Sequence, residues 1–117
     1  MQTGSRWHIE YYTTSRGASP VRDFINGLSV KERARTDHFL HLLADLGTEL
    51  KLPHATPLKG HKPLWELRPM PHRLIYFLHT NHRFIILHAF TKKRNETERR
   101  HIETAERHMS DFLEREQ

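Results

Sequence analysis

The amino-acid sequence predicts an α+β fold, in which helices pack on a small, mostly antiparallel sheet. Two observations lead to this class. Four segments have the alternation or the apolar runs of β-strands, and three have helix caps or a helical spacing of apolar residues. Their order is β-α-α-β-β-β-α, without the regular strand–helix alternation that builds a parallel sheet. The length of 117 residues suits one domain, residues 1–117, with a single core.

The first strand and the first helix are predicted near the N-terminus. Arg6–Tyr12 alternates large and polar residues, as a half-buried strand does. Ser19 is a favourable N-cap, and Pro20 suits the first position of a helix. Gly27 suits the end of this short helix.

A longer helix is predicted to follow. Ser29 and Glu32 have the spacing of a capping box, and Gly47 marks the end of the helical pattern. The residues predicted to form its apolar stripe are Ala34, Phe39, Leu42, Leu43 and Leu46.

Three strands and a helix are predicted in the C-terminal half. The preceding stretch Leu52–Pro63 holds three prolines and a glycine, so it cannot form a long regular element. The strands are Leu64–Arg68, His72–His79 and Arg83–Lys92, with a tight turn at Thr80–His82. The last two are apolar on both faces in their middles, which predicts central positions in the sheet. The final helix is predicted at Asn95–Leu113, with a buried side formed by Ile102, Ala105, Met109, Phe112 and Leu113.

The positive charge of the chain is concentrated in one block. Residues 59–94 hold 8 Lys or Arg and a single acid, Glu66, whereas residues 95–117 hold 4 basic and 7 acidic residues. The whole chain has a formal net charge of +5. A basic block of this kind is the electrostatic footprint of a polyanion site, most simply a site for nucleic acid.

The composition argues against several classes of protein. There is no cysteine, hence no disulfide framework and no thiolate zinc site. The N-terminal residues lack the apolar segment of a signal peptide, and no run approaches the roughly 18 apolar residues of a membrane span. The 11 histidines show no metal-ligand motif. We therefore expect a soluble cytoplasmic protein that uses no metal or other cofactor.

Two arginines are the first candidates for the anion site. Arg68 ends one predicted strand and Arg73 begins the next, so a hairpin would bring them together. A guanidinium group stays protonated and can hold two phosphate oxygens with its planar fork. As a strand-end residue, Arg73 is expected to contribute little to the core. Arg83, at the other end of the hairpin, is expected to be replaceable by alanine with almost no effect.

Lysines and proton-transfer groups in the same block complete the set of candidates. A one-residue change in strand register decides whether Lys92 or Lys93 faces the same way as Arg73. Lys59 lies in the preceding loop, and the candidates for RNA contacts are Lys62, Lys92 and Arg94. The candidates for a general acid or base are Glu66, His61 and His88. Two alternatives stay open, because Glu66 could equally be a charge partner of Arg68 and His88 a packed core residue.

The segments "PLKG", "LWELR", "HRLIYFL" and "IILHAFTKK", in this order and spacing, resemble the RelE/HigB superfamily of bacterial type II toxins. The resemblance is closest to its phage-derived HigB-like branch and extends from the first strand to the last helix. It implies a RelE-like fold and an endoribonuclease, an mRNA interferase that cuts mRNA on the translating ribosome without a metal and so inhibits translation. It also implies three partners, namely a cognate antitoxin, the ribosome and mRNA. No membrane partner is expected, because the sequence has no apolar run of membrane length. The residues that it marks for catalysis are Lys59, Arg68, Arg73 and Lys93.

The resemblance leaves the proton-transfer residues unassigned. Several relatives have an aromatic residue or a histidine near the C-terminus, whereas the tail "DFLEREQ" offers no tyrosine or histidine. Two other functions stay open, because a fold does not determine a function. One is a ParE-like DNA gyrase inhibitor without nuclease activity, and the other is a non-catalytic module that binds nucleic acid or an antitoxin. The dense basic block favours the nuclease.

Overall fold

The computed structural model of the chain describes residues 6–93 and 98–116. Its centre is a five-stranded sheet in the order β1-β5-β4-β3-β2. The strands are β1 His8–Tyr11, β2 Ala55–Pro57, β3 Trp65–Leu67, β4 His72–His79 and β5 Arg83–Thr91. β1 pairs parallel with β5, and the other neighbours are antiparallel. The predicted α+β class is confirmed, and β4 and β5 occupy the central positions that their apolar middles predict.

The helices cover both faces of this sheet. They are α1 Pro20–Asn26, α2 Val30–Leu46 and α3 Arg99–Glu116, and a single 3₁₀ turn, Gly47–Glu49, follows α2. The predicted capping box is confirmed in one half, because the Ser29 hydroxyl accepts a hydrogen bond from the Glu32 backbone N–H at 3.2 Å, whereas the Glu32 carboxylate contacts His72 at 3.1 Å. Gly47 ends α2 with φ +57°, and a Cβ atom there would lie 2.0 Å from the Trp7 ring, so only glycine fits.

The apolar stripe predicted for α2 is wrong in part. Leu43 is fully buried, but Ala34 and Leu46 are exposed. The helix instead buries Thr36, Leu40 and Ala44 together with Leu43. The polar Thr36 is tolerated because its hydroxyl donates to the Glu32 carbonyl oxygen at 3.0 Å.

The remaining differences concern short or terminal segments. β2 lies inside the proline-rich stretch, where three residues pair with β3 and no longer element forms. α3 ends at Glu116, beyond the predicted Leu113, and the predicted start at Asn95 lies outside the described residues. In the two described ranges, none of the helices combines the length and the apolarity that crossing a membrane requires.

Two separate apolar clusters lie on the two faces of the sheet. The α1/α2 face buries residues such as Leu67, Leu74 and Ile86, and the α3 face buries residues such as Ile75 and Phe112. Strand pairing is interrupted once, opposite the Ile75–Tyr76 step, where β5 contains one extra residue. Such a bulge reverses which residues of a strand face each side.

Arg83 lies at the start of β5 and connects three elements. Its guanidinium donates to the Glu10 carboxylate of β1 at 2.9 Å and to the Glu116 carboxylate of α3 at 3.0 Å. These carboxylates raise the pKa of Arg83 above its usual value. The expectation that Arg83 is replaceable with almost no effect stays a prediction, but these ion pairs make the residue a poor choice of silent control.

Candidate active site

Glu66, Arg68 and Arg73 meet on the α3 face of the sheet, and we call them the guanidinium cluster. Glu66 and Arg68 come from the end of β3, and Arg73 from the start of β4. The Glu66 carboxylate oxygen Oε2 lies 3.1 Å from Nε of Arg73 and 3.6 Å from Nε of Arg68. The predicted proximity of the two arginines is thus confirmed through a shared carboxylate, and the cluster carries a net charge of +1.

Arg73 is buried, and the expectation that it contributes little to the core is wrong. Only 2% of its surface is exposed, and it is among the largest fully buried side chains of the described residues. Its Nη1 group donates to the His72 carbonyl oxygen and to the Met70 sulfur, both at 3.0 Å. Burial lowers the pKa of the Arg73 guanidinium, while the Glu66 carboxylate acts in the opposite direction.

Arg68 is the more accessible arginine of the cluster. Its side chain is 31% exposed, and its backbone N–H donates to the His54 carbonyl oxygen at 2.8 Å. The Nε atoms of Arg68 and Arg73 are both buried, and neither makes a hydrogen bond of good geometry with any described residue. Both Nε groups lie near the same Glu66 oxygen, which is therefore a shared and poorly aligned acceptor, so a further anionic oxygen would be a favourable partner for the two guanidinium groups.

The predicted lysines lie on different segments of the structure. Arg73 pairs with Phe90, so Lys92, two residues farther along, lies on the same side as Arg73 by strand alternation. The backbone N–H of Lys92 donates to the Pro71 carbonyl oxygen at 2.8 Å. Lys93 and Lys59 are exposed. Lys62 lines a pocket of about 200 Å³ with Trp65 and Tyr76, whose side chains belong to the opposite face of the sheet. Arg94 lies outside the described residues.

The three predicted proton-transfer groups have different surroundings. Glu66 is buried as the ion-pair partner of both arginines. Its contacts are those of a charge partner, the alternative to a role as acid or base. His61 lies in the loop before β3, where its Nδ1 is 3.2 Å from the Glu106 carboxylate of α3. His88 lies in β5 and faces α3, in contact with another histidine, His101.

His88 and His101 form a hydrogen-bonded pair beside the guanidinium cluster. Nε2 of His88 lies 2.8 Å from Nδ1 of His101, which is on the first turn of α3. The His101 ring stacks on Phe90, with 3.8 Å between centroids and 6° between planes. Phe90 is the strand partner of Arg73. Phe90 therefore connects the histidine pair with the guanidinium cluster, because it stacks on His101 and is the strand partner of Arg73.

The bulge in β5 is what brings these residues to the α3 side. Ile85 packs in the α3-side cluster, so uninterrupted alternation would also turn Leu87 and Ala89 to that side. With one extra residue in the strand, Phe90 packs in the α3-side cluster and Ala89 against the α1/α2-side cluster. His88 and Phe90 consequently point towards α3 and towards the face that carries Arg73.

His108 and Tyr12 lie farther along the same face and have their own partners. Nδ1 of His108 donates to the Leu87 carbonyl oxygen at 2.7 Å, and its ring stacks on Tyr12. The Tyr12 hydroxyl donates to Asp111 at 2.6 Å. In the described ranges, no three histidine or carboxylate side chains come together as a metal-binding group.

His88 is expected to make stability depend on pH. Burial, followed by the positive charge of His101 when protonated, lowers the pKa of His88 to about 4. The unfolded chain, with a histidine pKa of about 6.5, binds the proton first as the pH falls. Stability should be unaffected by His88 above about pH 6.5 and should decrease progressively between about pH 6.5 and about pH 4.

Urea denaturation of wild type and His88→Phe at pH 7 and pH 5 tests this expectation. The variant keeps an aromatic ring but cannot take up a proton, so its free energy of unfolding should change less between the two pH values. The exposed His41 of α2 provides a matched control, since His41→Phe should keep the wild-type dependence. Equal pH dependence in wild type and His88→Phe would contradict the assignment of a neutral buried His88.

Two residues of this region were not among the predicted candidates. His101 lies next to Ile102 of the buried α3 stripe, so its position at the edge of a buried helix face was a usable signal in the sequence. Met70 gave no such signal. It is 54% exposed although its sulfur contacts the buried Arg73 guanidinium, a contact that depends on the shape of the turn between β3 and β4.

A comparison with known protein families gives a match over most of the chain. The profile of the family described as phage-derived protein Gp49-like (DUF891) matches residues 23–110. The matched region includes the whole guanidinium cluster and the His88–His101 pair. No curated protein matches the sequence.

Proposed function

The chain belongs to the phage-derived Gp49-like family, a RelE/HigB-like toxin family, and on this premise we propose that it cuts mRNA on the ribosome as the toxin of a toxin–antitoxin pair. The family supports a toxin of this type and an antitoxin as its partner. The cutting of ribosome-bound mRNA is the finer part of the proposal and rests on the chemistry of the site.

The observation that supports RNA cleavage best is the guanidinium cluster. Two arginines share one carboxylate, which leaves one positive charge uncompensated, and two buried N–H groups have no well-aligned acceptor. A phosphate oxygen would supply the missing negative charge and a second acceptor beside the shared Glu66 carboxylate. Such a clamp stabilises the charge that increases on the phosphate as the bond to the attacking oxygen forms.

Arg68 and Arg73 have different parts in this proposal. Arg68 is accessible, so it meets the phosphate directly. Arg73 is covered by Met70, whose neutral sulfur is a weak acceptor for the Nη1 group. An anionic oxygen is a much stronger acceptor, and the Met70 side chain is exposed enough to move aside. Arg73 would then reach the phosphate when Met70 is displaced, while Glu66 continues to orient both guanidinium groups.

The remaining basic residues have a separate task in the proposal. Lys59 and Lys93 are exposed, and we assign them to the RNA backbone together with Lys92 and Arg94. Lys62, which lines the pocket on the opposite face, is left out of this surface. Contacts of this kind set affinity and its dependence on salt. An antitoxin that places acidic side chains over the same surface would compete with RNA and neutralise the toxin.

Induction in a bacterium, followed by mapping of RNA 5′ ends and of DNA breaks, tests the proposal. We expect new RNA ends in phase with codons, unchanged DNA, and growth that recovers when the neighbouring reading frame is co-expressed. With ribosomes at constant magnesium, added manganese or zinc should leave the cleavage rate unchanged. Trapped breaks in DNA together with intact mRNA would instead indicate gyrase poisoning, and neither kind of damage would indicate a binding module.

A further inference from the structure

The guanidinium cluster offers only Glu66 as a base, and this carboxylate is buried and occupied by two arginines. Arginine stays protonated at physiological pH, and the Glu66 carboxylate lies within 3.1 and 3.6 Å of the two guanidinium groups. Cleavage of RNA through its own 2′-hydroxyl needs a base within hydrogen-bond reach of that group. A base must therefore come from the surroundings of the cluster.

We propose that His101 is the general base of this site and that His88 is the residue that positions it. This inference rests on the function proposed above and assigns its proton-transfer step. The geometry that carries it is the contact between Nε2 of His88 and Nδ1 of His101 at 2.8 Å, with the His101 ring stacked on Phe90, the strand partner of Arg73.

The other histidines of this face are less suited to the task. His88 is packed between β5 and α3 and has its Nε2 engaged by His101. His108 donates from Nδ1 to the Leu87 carbonyl oxygen and is covered by Tyr12. His61 is held by Glu106 on the loop side of α3. His101, by contrast, is part-exposed, and its only polar side-chain contact among the described residues is to His88.

The hydrogen bond to His88 prepares His101 for this role. When His101 carries its proton on Nδ1 and donates it to Nε2 of His88, its own Nε2 is left with a lone pair. The ring is fixed by the stack on Phe90, so this lone pair has a defined direction. After Nε2 takes a proton, the Nδ1–H donor becomes charged and its hydrogen bond to the neutral His88 becomes stronger.

The proposed step is balanced in atoms and charge. The 2′-hydroxyl proton moves to Nε2 of His101, and the 2′-oxygen forms a bond to phosphorus. The bond from phosphorus to the 5′-oxygen breaks, and this oxygen takes a proton from a water molecule. The hydroxide that is left takes the proton from the His101 imidazolium, which restores the neutral base. The products are a 2′,3′-cyclic phosphate and a 5′-hydroxyl, and the cluster of Arg68 and Arg73 holds the non-bridging oxygens throughout.

Burial and a neighbouring positive charge favour the neutral, basic form of His101. Burial, followed by the positive charge of Arg100, lowers the pKa of His101, and the Glu98 carboxylate acts in the opposite direction. His88 of β5 faces His101. His108 and Arg107 of α3 act on His88, and Arg73 is the strand partner of Phe90, on which His101 stacks. His101 should therefore act as a base above its lowered pKa and lose activity as the pH falls through it.

Single-turnover cleavage of ribosome-bound mRNA, measured across pH for wild type and variants, tests the inference. We expect His101→Asn to cut about 10²–10⁴-fold more slowly and to lose the decrease of rate at acid pH. Added imidazole should restore part of the rate to His101→Gly, which a purely structural role would not allow. His88→Phe removes the acceptor that orients His101, so it should slow the reaction less than His101→Asn does and should shift its pH profile. His41→Asn should behave as wild type.

Two outcomes separate this inference from the proposed function. If wild type cuts no mRNA, the function itself is wrong. If wild type cuts and Arg68→Ala is slow, while His101→Asn keeps the wild-type rate and pH profile, the function stands and His101 is not the base. A slow His101→Asn whose rate keeps the wild-type pH dependence and whose glycine variant ignores imidazole would also overturn the inference.

Discussion

Replacing Arg68 by alanine is expected to slow mRNA cleavage by about 10²–10³-fold, as the loss of one well-placed donor to a developing negative charge typically does. Its effect on stability should be small. The side chain is 31% exposed, and its Nε lies 3.6 Å from Glu66, which keeps the closer Arg73 as a partner. Glu66 is buried, but it keeps its closer partner, so the loss should stay near about 1 kcal/mol, the upper end for exposed ion pairs. The measurement is single-turnover cleavage on the ribosome, together with a thermal melt.

Two further variants define what the arginine supplies. Arg68→Lys keeps the charge but loses the planar fork, so it should recover little of the rate. Arg16→Ala removes the same charge from an exposed position between β1 and α1 and should cut as wild type does. If Arg68→Ala retains the wild-type rate, or if Arg16→Ala is equally slow, the guanidinium cluster is not the place where the phosphate is held.

The fold was largely predictable because its strongest signals are local. The segment His72–His79 coincides with β4, and the apolar run at the centre of β5 requires helices on both faces. β2 escaped prediction because a three-residue strand among prolines has no periodicity of its own and exists only through its pairing with β3. The buried side of α2 was predicted only in part, because Thr36 and Leu40 are buried whereas Ala34 and Leu46 are exposed.

The candidate site was predictable only in part, and the β5 bulge is the main reason. From sequence, the hairpin indicates that Arg68 and Arg73 come together, as they do. Strand alternation alone cannot reveal one extra residue, and that residue decides that His88 and Phe90 face α3. The partnership of His88 with His101 depends in addition on how α3 crosses the sheet, which is a long-range property of the packing.

Arg73→Ala should reduce both stability and cleavage, which distinguishes it from Arg68→Ala. Removing one partner of a buried ion pair typically costs about 3–5 kcal/mol, because the other charge is left uncompensated. The buried Glu66 retains Arg68 at the longer distance, so we expect the lower end of that range. For a chain of this size, this corresponds to a decrease in melting temperature of about 10 °C or more. Cleavage should fall at least as far as in Arg68→Ala.

A double variant separates the two roles of Arg73. Arg73→Met with Glu66→Gln removes both charges at similar volume, so much of the stability should return. If Arg73 reaches the phosphate when Met70 moves aside, this stable protein should still cut slowly, whereas Met70→Ala, which uncovers the Arg73 Nη1 group, should cut at least as fast as wild type. Wild-type cleavage by the double variant would mean that Arg73 only supports the fold. A Met70→Ala protein as slow as Arg68→Ala would mean that the sulfur contact is part of the working site and that its displacement is not a step in binding.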